Sequence, residues 1–293
     1  MSNIIMENEL KNTSDDEAFE MLFTEGDRLT RSVVNKLVSR GERMVFPLWE
    51  VIRDEGNWKS NNEDWWAPIH ATFILGAIGG KAVITPLIMS LRFSDIFDYE
   101  WIYDSLPSIF GCLGPAVLEP LKKIVLDLSN SWFIRSSALE GMAAVTIKHQ
   151  NFSREVFDFI AQVLRDSYEQ RDLRAIAGHI LLDFNQKKYQ NSLLEFAKED
   201  EERARYDFWE FINFSQDNVL EILNSDKVNL EQYTKDWLNF YNDEEIDKRQ
   251  ERWQEEDKEN FLSRRIWRKI KGRIKNIFLV MRFIKKLREE GIS

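Results

Sequence analysis

Apolar residues recur at helical spacing through most of the chain, and glycine and proline interrupt them at regular intervals. The pattern is clearest in "SRGERMVFPLWEVI" (39–52), "IGGKAVITPLIMSL" (78–91) and "LGPAVLEPLKKIV" (113–125). In each stretch a glycine is followed six residues later by Pro-Leu, and the pairs are Gly41 with Pro47, Gly80 with Pro86, and Gly114 with Pro120. The three prolines are therefore 39 and 34 residues apart.

This spacing predicts pairs of helices joined by a glycine corner. Glycine readily takes the left-handed conformation in which helices end, and proline is tolerated in the first turn of the next helix. Neither helix of such a pair can bury its apolar face alone, so consecutive pairs must stack. We expect an all-α fold, an α-α superhelix (HEAT-like solenoid) of about five pairs, with a C-terminal charged arm and a basic amphipathic helix.

The same pattern divides the chain into four segments. Ser14 and Glu17 form a capping-box motif that opens a short N-terminal helix. Two weaker pairs follow the glycine-proline corners, and Ser153 is expected to cap the second helix of the first of them. The predicted segments are an N-terminal capping segment (1–28), a HEAT-like helical repeat domain (29–226), an acidic helical arm (227–257) and a basic amphipathic helix (258–293).

The corner motif also resembles known repeats. "ATFILGAIGGKAVITPLIMSL" (71–91) is similar to the HEAT-like repeats of phycobilin lyases. Residues 67–164 also resemble a bacterial HEAT-like domain that often precedes a SEC-C metal-binding tail. The first resemblance implies a chaperone-lyase that acts on a bound chromophore. The cysteine-rich tail is absent from this sequence, so a metal or nucleic-acid role that such a tail implies does not transfer.

Composition limits the chemistry and location of the protein. With Cys112 as its single cysteine, the chain can form neither an intrachain disulfide nor a cysteine-built zinc site. The first residues lack the basic start and apolar core of a signal peptide. No run reaches the roughly 18 apolar residues of a membrane span. We therefore expect a cytoplasmic protein, peripheral at the membrane if its C-terminal helix binds lipid.

Charge is distributed unevenly along the chain. Residues 258–293 hold 12 Lys and Arg against 3 Asp and Glu, a balance of +9. Since the totals are 40 and 50, residues 1–257 hold 28 against 47, a balance of −19. An acidic body with a basic tail indicates charged partners, either within the protein or outside it.

The tail carries the strongest functional signal. Its apolar residues alternate at steps of three and four, as in a coiled-coil seam. Its flanking residues and tryptophan are Arg264, Arg265, Trp267, Arg268, Lys269, Lys271, Arg273 and Lys275. Such a helix can dock on the acidic body or pair with another helix, lie on an anionic membrane surface, or bind nucleic-acid phosphates. A protein partner agrees best with the acidic body, which would repel a nucleic acid.

The body has one unusual segment, "DIFDYEWIYD" (95–104), in which carboxylates alternate with aromatic residues. These side chains either grip a basic peptide or small ligand, or cap a helix and fill the core between two pairs. The candidate partner-binding residues are Arg92, Asp95, Asp98, Tyr99, Trp101, Lys122 and Lys123.

No catalytic chemistry converges in the sequence. Three isolated histidines and the lack of a nucleophile or phosphate-loop motif point to no catalytic residue, no metal site and no cofactor. The expected function is a non-catalytic scaffold or adaptor that binds another macromolecule through the solenoid surface. A chaperone-lyase and a peripheral membrane protein are the alternatives. The sequence gives no oligomeric state.

Overall fold

The computed structural model describes residues 14–60, 62–204, 214–225 and 227–259. Within these ranges all regular secondary structure is helical, and no strand occurs. One compact unit extends to Tyr241 and a second begins at Asn242. No helix in the described ranges has the length and apolar character needed to span a bilayer.

The first unit contains α1 to α14 and the second contains α15. In chain order the α-helices are α1 (Asp15–Thr24), α2 (Arg31–Ser39), α3 (Val45–Arg53), α4 (Glu55–Lys59), α5 (Ala67–Ile78), α6 (Ile84–Phe97), α7 (Glu100–Tyr103), α8 (Leu106–Leu113), α9 (Leu118–Leu126), α10 (Trp132–Lys148), α11 (Ser153–Arg165), α12 (Arg171–Asp183), α13 (Gln190–Ala204), α14 (Gln216–Asn224) and α15 (Asp243–Glu259).

The predicted capping box is present at the start of α1. The Ser14 hydroxyl accepts the Glu17 amide at 3.1 Å, and the Glu17 carboxylate accepts the Ser14 amide at 2.6 Å. Two backbone donors that the helix itself leaves without partners are thus satisfied.

The glycine corners join the helices as the sequence predicts. Gly41, Gly80 and Gly114 have φ angles of +58°, +80° and +74°, a region that favours glycine. A short 3-10 turn follows each corner, and each proline is the third residue of the next helix. We call the helix before a corner the first helix of a pair and the helix after it the second helix.

The five pairs within the described ranges are α2 with α3, α5 with α6, α8 with α9, α10 with α11, and α12 with α13. Each first helix packs against the first helix of the following pair, so that α2 contacts α5, α5 contacts α8, α8 contacts α10 and α10 contacts α12. The last first helix, α12, packs against α14. The second helices α3 and α6 also pack together, as do α11 and α13. This ordered packing confirms an all-α, solenoid-like fold.

The fourth pair departs from the prediction at its corner. Ser153 is the first residue of α11, and Phe152 precedes it as the N-cap without a side-chain cap. The expected capping role of Ser153 is therefore wrong. A 3-10 turn over Gln150–Phe152 leads the chain directly into the helix, so a side-chain cap has no place there.

Residues 227–241 differ most from the prediction, and we call them the strap. Instead of an α-helix they form two 3-10 turns, Glu231–Tyr233 and Trp237–Tyr241, and they belong to the first unit. Their aromatic side chains Tyr233, Trp237, Phe240 and Tyr241 are buried. The expected acidic arm over 227–257 is α-helical only from Asp243, where the charged run begins. The residues before Asp243 carry aromatic side chains that are buried in the first unit instead.

Candidate functional site

The turn between α9 and α10 is built around Asp127. Asp127 ends α9 in an extended conformation, and its carboxylate accepts the amide and the hydroxyl of Ser129 at 3.0 and 2.6 Å. These hydrogen bonds lower the pKa of Asp127, and Arg92 adds to the effect. The Asn130 side chain donates to the Ile124 carbonyl at 3.1 Å. The turn therefore has a defined conformation rather than a free one.

The C-terminal half of α6 meets this turn. Arg92 Nη2 lies 4.0 Å from Asp127 Oδ2, and Ser131 Oγ donates to Asp95 Oδ2 at 2.9 Å. Ser131 also caps α10 by accepting the Ile134 amide at 3.2 Å. The structure thus brings two of the predicted partner-binding residues, Arg92 and Asp95, to one joint between consecutive pairs.

Apolar side chains are exposed at the same joint. Ile96, Leu126 and Leu128 are 63%, 60% and 76% exposed. Scattered exposed apolar residues are ordinary, but several at one position favour a contact surface. We define the joint ridge as Arg92, Asp95, Ile96, Lys123, Leu126 and Leu128.

The two predicted lysines lie on α9 and have different surroundings. Lys122 places its ammonium 5.3 Å from the centroid of the Phe159 ring on α11. Lys123 is exposed, and it has no salt bridge among the residues that the structure describes. Lys122 therefore contributes to packing between pairs, whereas Lys123 is available at the joint ridge.

Three other predicted residues do not join the ridge. Asp98 is exposed and ends α6 with a left-handed φ of 64°. Tyr99 is fully buried, stacks on Trp65 at 4.6 Å, and its hydroxyl donates toward the Trp58 and Trp65 carbonyls at 3.2 Å each. A partner cannot reach Tyr99, because the core between pairs already encloses its ring and satisfies its hydroxyl.

Trp101 also packs inside the first unit rather than projecting from it. Its ring lies 6.1 Å from that of Trp66 and 5.5 Å from that of Phe240. The aromatic part of the 95–104 segment is thus mainly core, as the structural alternative expected. The predicted basic tail residues, Arg264, Arg265, Trp267, Arg268, Lys269, Lys271, Arg273 and Lys275, lie outside the described residues.

Sequence reasoning missed Ile96, Leu126 and Leu128. On α9, Leu121, Ile124 and Val125 fill the buried stripe, and Leu126 falls outside it. Leu126 could have been identified from the sequence, because it is an apolar residue at the end of a helix whose buried stripe is already complete. Leu128 could not, because a single leucine in a polar turn has no periodicity.

The histidine at the centre of the body has a structural role. His70 is fully buried, with Nε2 at 2.8 Å from the Gly26 carbonyl and Nδ1 at 3.0 Å from the Tyr241 hydroxyl. Because a carbonyl only accepts, Nε2 carries a proton and donates it to Gly26, while Nδ1 shares a hydrogen bond with the Tyr241 hydroxyl. In the described part of the chain, no three His, Cys, Asp or Glu residues are grouped to hold a metal ion.

One further cleft, of about 450 Å³, lies between α3 and α6. Phe46, which is 67% exposed, contributes to its wall. The lining residues are Glu42, Val45, Phe46, Trp49, Ala82, Thr85 and Pro86. With one carboxylate and one hydroxyl among these side chains, the cleft lacks the convergent polar groups of a small-molecule site.

Comparisons of the chain with protein-family models, curated proteins and solved structures gave no match. The HEAT-like resemblance therefore stays a prediction.

Proposed function

We propose that this protein is a non-catalytic scaffold that binds a protein partner through the joint ridge. The observation that carries the proposal is the exposure of Ile96, Leu126 and Leu128 around a joint that hydrogen bonds hold in place. Burying apolar surface of this kind is the main driving force of protein association.

Rigidity supports the choice of this surface. The Asp127–Ser129 bonds, the Asn130 bond to Ile124 and the Ser131–Asp95 bond order the joint before a partner arrives. A surface that is ordered in the free protein loses less conformational entropy on binding than a loop that must fold.

The opposite side of the pairs supports the same choice. The strap covers part of the first-helix side, where Trp237 Nε1 donates to the Phe73 carbonyl on α5 at 3.1 Å. The joint ridge, at the ends of second helices, has no such cover among the described residues of the first unit. A partner therefore meets the ridge without displacing any part of this unit.

The chemistry of the ridge describes its partner. Three branched aliphatic side chains require an apolar patch, and Lys123 adds a cation at its border. The Arg92–Asp127 pair, at 4.0 Å, already balances its own charge. We infer a partner with an apolar patch beside an acidic residue.

Quantitative affinity purification from the native cells tests the proposal. Ile96→Asp and Leu128→Asp each place a charge on the ridge at an exposed position, so the fold is retained. Phe46→Ser on the α3–α6 cleft is the matched control, because it removes an equally exposed apolar side chain elsewhere. A specific protein should fall at least about tenfold with both ridge variants and stay unchanged with the control.

Equal recovery of every bound protein with all three variants would reject the joint ridge. Circular dichroism of each variant provides the check on folding. A protein lost only with Phe46→Ser would assign binding to the cleft instead.

The basic tail adds a second contact in this proposal, and its support is the balance of +9 over residues 258–293. We expect that deleting these residues lowers recovery of the same partner at low salt and has less effect at high salt, since the contact is electrostatic. Flotation of the intact but not the shortened protein with anionic vesicles would assign the tail to a membrane surface instead.

A further inference from the structure

The strap crosses the first-helix side and is fixed near its C-terminal end by α2 and α5. Trp237 donates to the Phe73 carbonyl, and Arg31 Nη1 donates to the Leu238 carbonyl at 2.6 Å. The Tyr241 hydroxyl meets His70 Nδ1 at 3.0 Å. Three hydrogen bonds, one of them to the His70 ring, therefore hold this end of the strap.

The other end of the strap is anchored on Asp183, the last residue of α12. The Asp183 carbonyl accepts the Asn229 amide at 2.8 Å, and its carboxylate accepts the Tyr233 hydroxyl at 2.9 Å. Tyr233 is 2% exposed, and its ring packs edge-on against Phe184 at 4.8 Å. One carboxylate therefore holds much of the Tyr233 end.

One further carboxyl group acts on Tyr233 of this anchor, that of Glu140. Glu140 is a half-buried residue of α10, and the Glu231–Tyr233 turn packs on that helix. The charged groups that act on it are Asp183 on α12 and Asp104 before α8, and Tyr233 interacts with it from the strap. Lys235 offsets the charge of Asp104. Glu140 has no salt bridge to a described residue.

We propose that the strap is a pH-sensitive latch, whose Tyr233 end leaves the first-helix side as the solution becomes more alkaline. The arrangement of Glu140, Asp183 and Asp104 supports this, because ionised Glu140 places a second negative charge beside the anchor of Tyr233. Opening moves the strap away, returns water to Glu140 and relieves the repulsion.

The direction of the effect follows from linkage. Burial, and then the charges of Asp183 and Asp104, raise the pKa of Glu140 from an ordinary value of 4.5 to about 8. With the strap closed, Glu140 keeps its proton up to a pH of about 8, whereas with the strap open Glu140 loses the proton near its ordinary pKa of 4.5. Opening becomes more favourable as pH rises from about 4.5 to about 8, and it changes little above that range.

Opening would have a consequence for binding. It would expose the Tyr233 and Phe184 rings and uncover the first-helix side for a second contact. This inference is separate from the joint ridge, which lies at the ends of second helices, so either can fail while the other holds.

Hydrogen–deuterium exchange of the full chain tests the latch. Exchange of residues 227–236 is measured at about pH 5.5 and about pH 8.5, and corrected for the intrinsic dependence of exchange on pH. Strap protection in the native protein should fall on the order of 10- to 100-fold between the two conditions. Glu140→Gln, which keeps the shape but cannot ionise, should change by less than about threefold.

Tyr233→Phe is the matched control. It removes the hydroxyl that Asp183 accepts but leaves Glu140 in place, so the strap should exchange faster at both pH values and keep most of its pH dependence. Parallel pH dependence in the native protein and Glu140→Gln would overturn the proposal. A strap whose protection is the same at both pH values in the native protein would overturn it as well.

Discussion

Arg135 illustrates how single side chains connect consecutive pairs. It is 2% exposed, its Nε donates to the Val125 carbonyl at the end of α9 at 2.6 Å, and its guanidinium pairs with the Glu169 carboxylate. Arg174 repeats this one pair later, donating to the Leu164 carbonyl at 2.9 Å and pairing with Glu199 at 2.8 Å. An arginine therefore connects a helix end to a carboxylate at each of these two successive joints.

Arg135 does not hydrogen-bond to Asp127 across the turn between α9 and α10, because its hydrogen bonds go to Val125 and Glu169. Asp127 instead holds its own turn through Ser129. Sequence spacing could not identify Glu169 as the partner of Arg135, because Glu169 lies at the next joint, 34 residues away.

We expect Arg135→Met to lower the free energy of unfolding by about 3–5 kcal/mol, because it leaves a buried carboxylate without its cation. Urea denaturation measures this change. Arg154→Met is the control, since Arg154 is 89% exposed and its pair with Asp158 contributes less than about 1 kcal/mol. Equal effects of the two variants would contradict the role of Arg135.

Two leucines on α9 provide a second test at the residue scale. Leu121 is fully buried and Leu126 is 60% exposed. Leu121→Ala should cost about 2–5 kcal/mol, because it leaves a cavity between helices. Leu126→Ala on the same helix should change the free energy of unfolding by less than about 0.5 kcal/mol. Similar costs in urea denaturation would show that the register of α9 is wrong.

At the scale of elements, glycines set the close approach of first helices. An added Cβ at Gly76 on α5 would lie 2.8 Å from Ile109 on α8, and one at Gly111 on α8 would lie 2.9 Å from the Ala144 Cβ on α10. Gly76 and Gly111 therefore make equivalent close contacts in successive pairs. These contacts are too short for any larger residue without movement of a neighbour.

We expect Gly111→Ala to destabilise the protein by about 1–3 kcal/mol, because the Ala144 backbone, 3.2 Å from the added Cβ, cannot move freely. This cost outweighs the gain of up to about 1 kcal/mol in helix propensity. Cys112→Ala, at the exposed neighbouring position, should be nearly neutral in thermal or urea unfolding. A stabilised Gly111→Ala would contradict the packing of α8 on α10.

The sequence predicted the helical pairs well where corners contain glycine. Later corners use other residues: His149 is the C-cap of α10, and Asn185, with a φ of 48°, follows α12. Asparagine tolerates the left-handed region, so the corner persists although the glycine-proline pattern is lost. The pairs were still predictable there, because apolar spacing remained.

For the molecule as a whole, the strap is what the sequence could not predict. Trp237 bonds to Phe73, 164 residues earlier, and Tyr241 bonds to His70, 171 residues earlier. Local periodicity contains no information on such distant partners. The joint ridge was partly predictable, since Arg92, Asp95 and Lys123 were identified, whereas the buried Tyr99 shows that an acidic-aromatic pattern alone does not separate core from surface.

Site-specific photocrosslinking in the native cells tests the central claim, that the joint ridge binds a protein partner, most directly. A photoreactive amino acid replaces Leu128, and in a separate protein it replaces the equally exposed Phe46 as a control. We expect one defined protein adduct from position 128 that is absent from position 46. No adduct from position 128, or the same adducts from both positions, would contradict it.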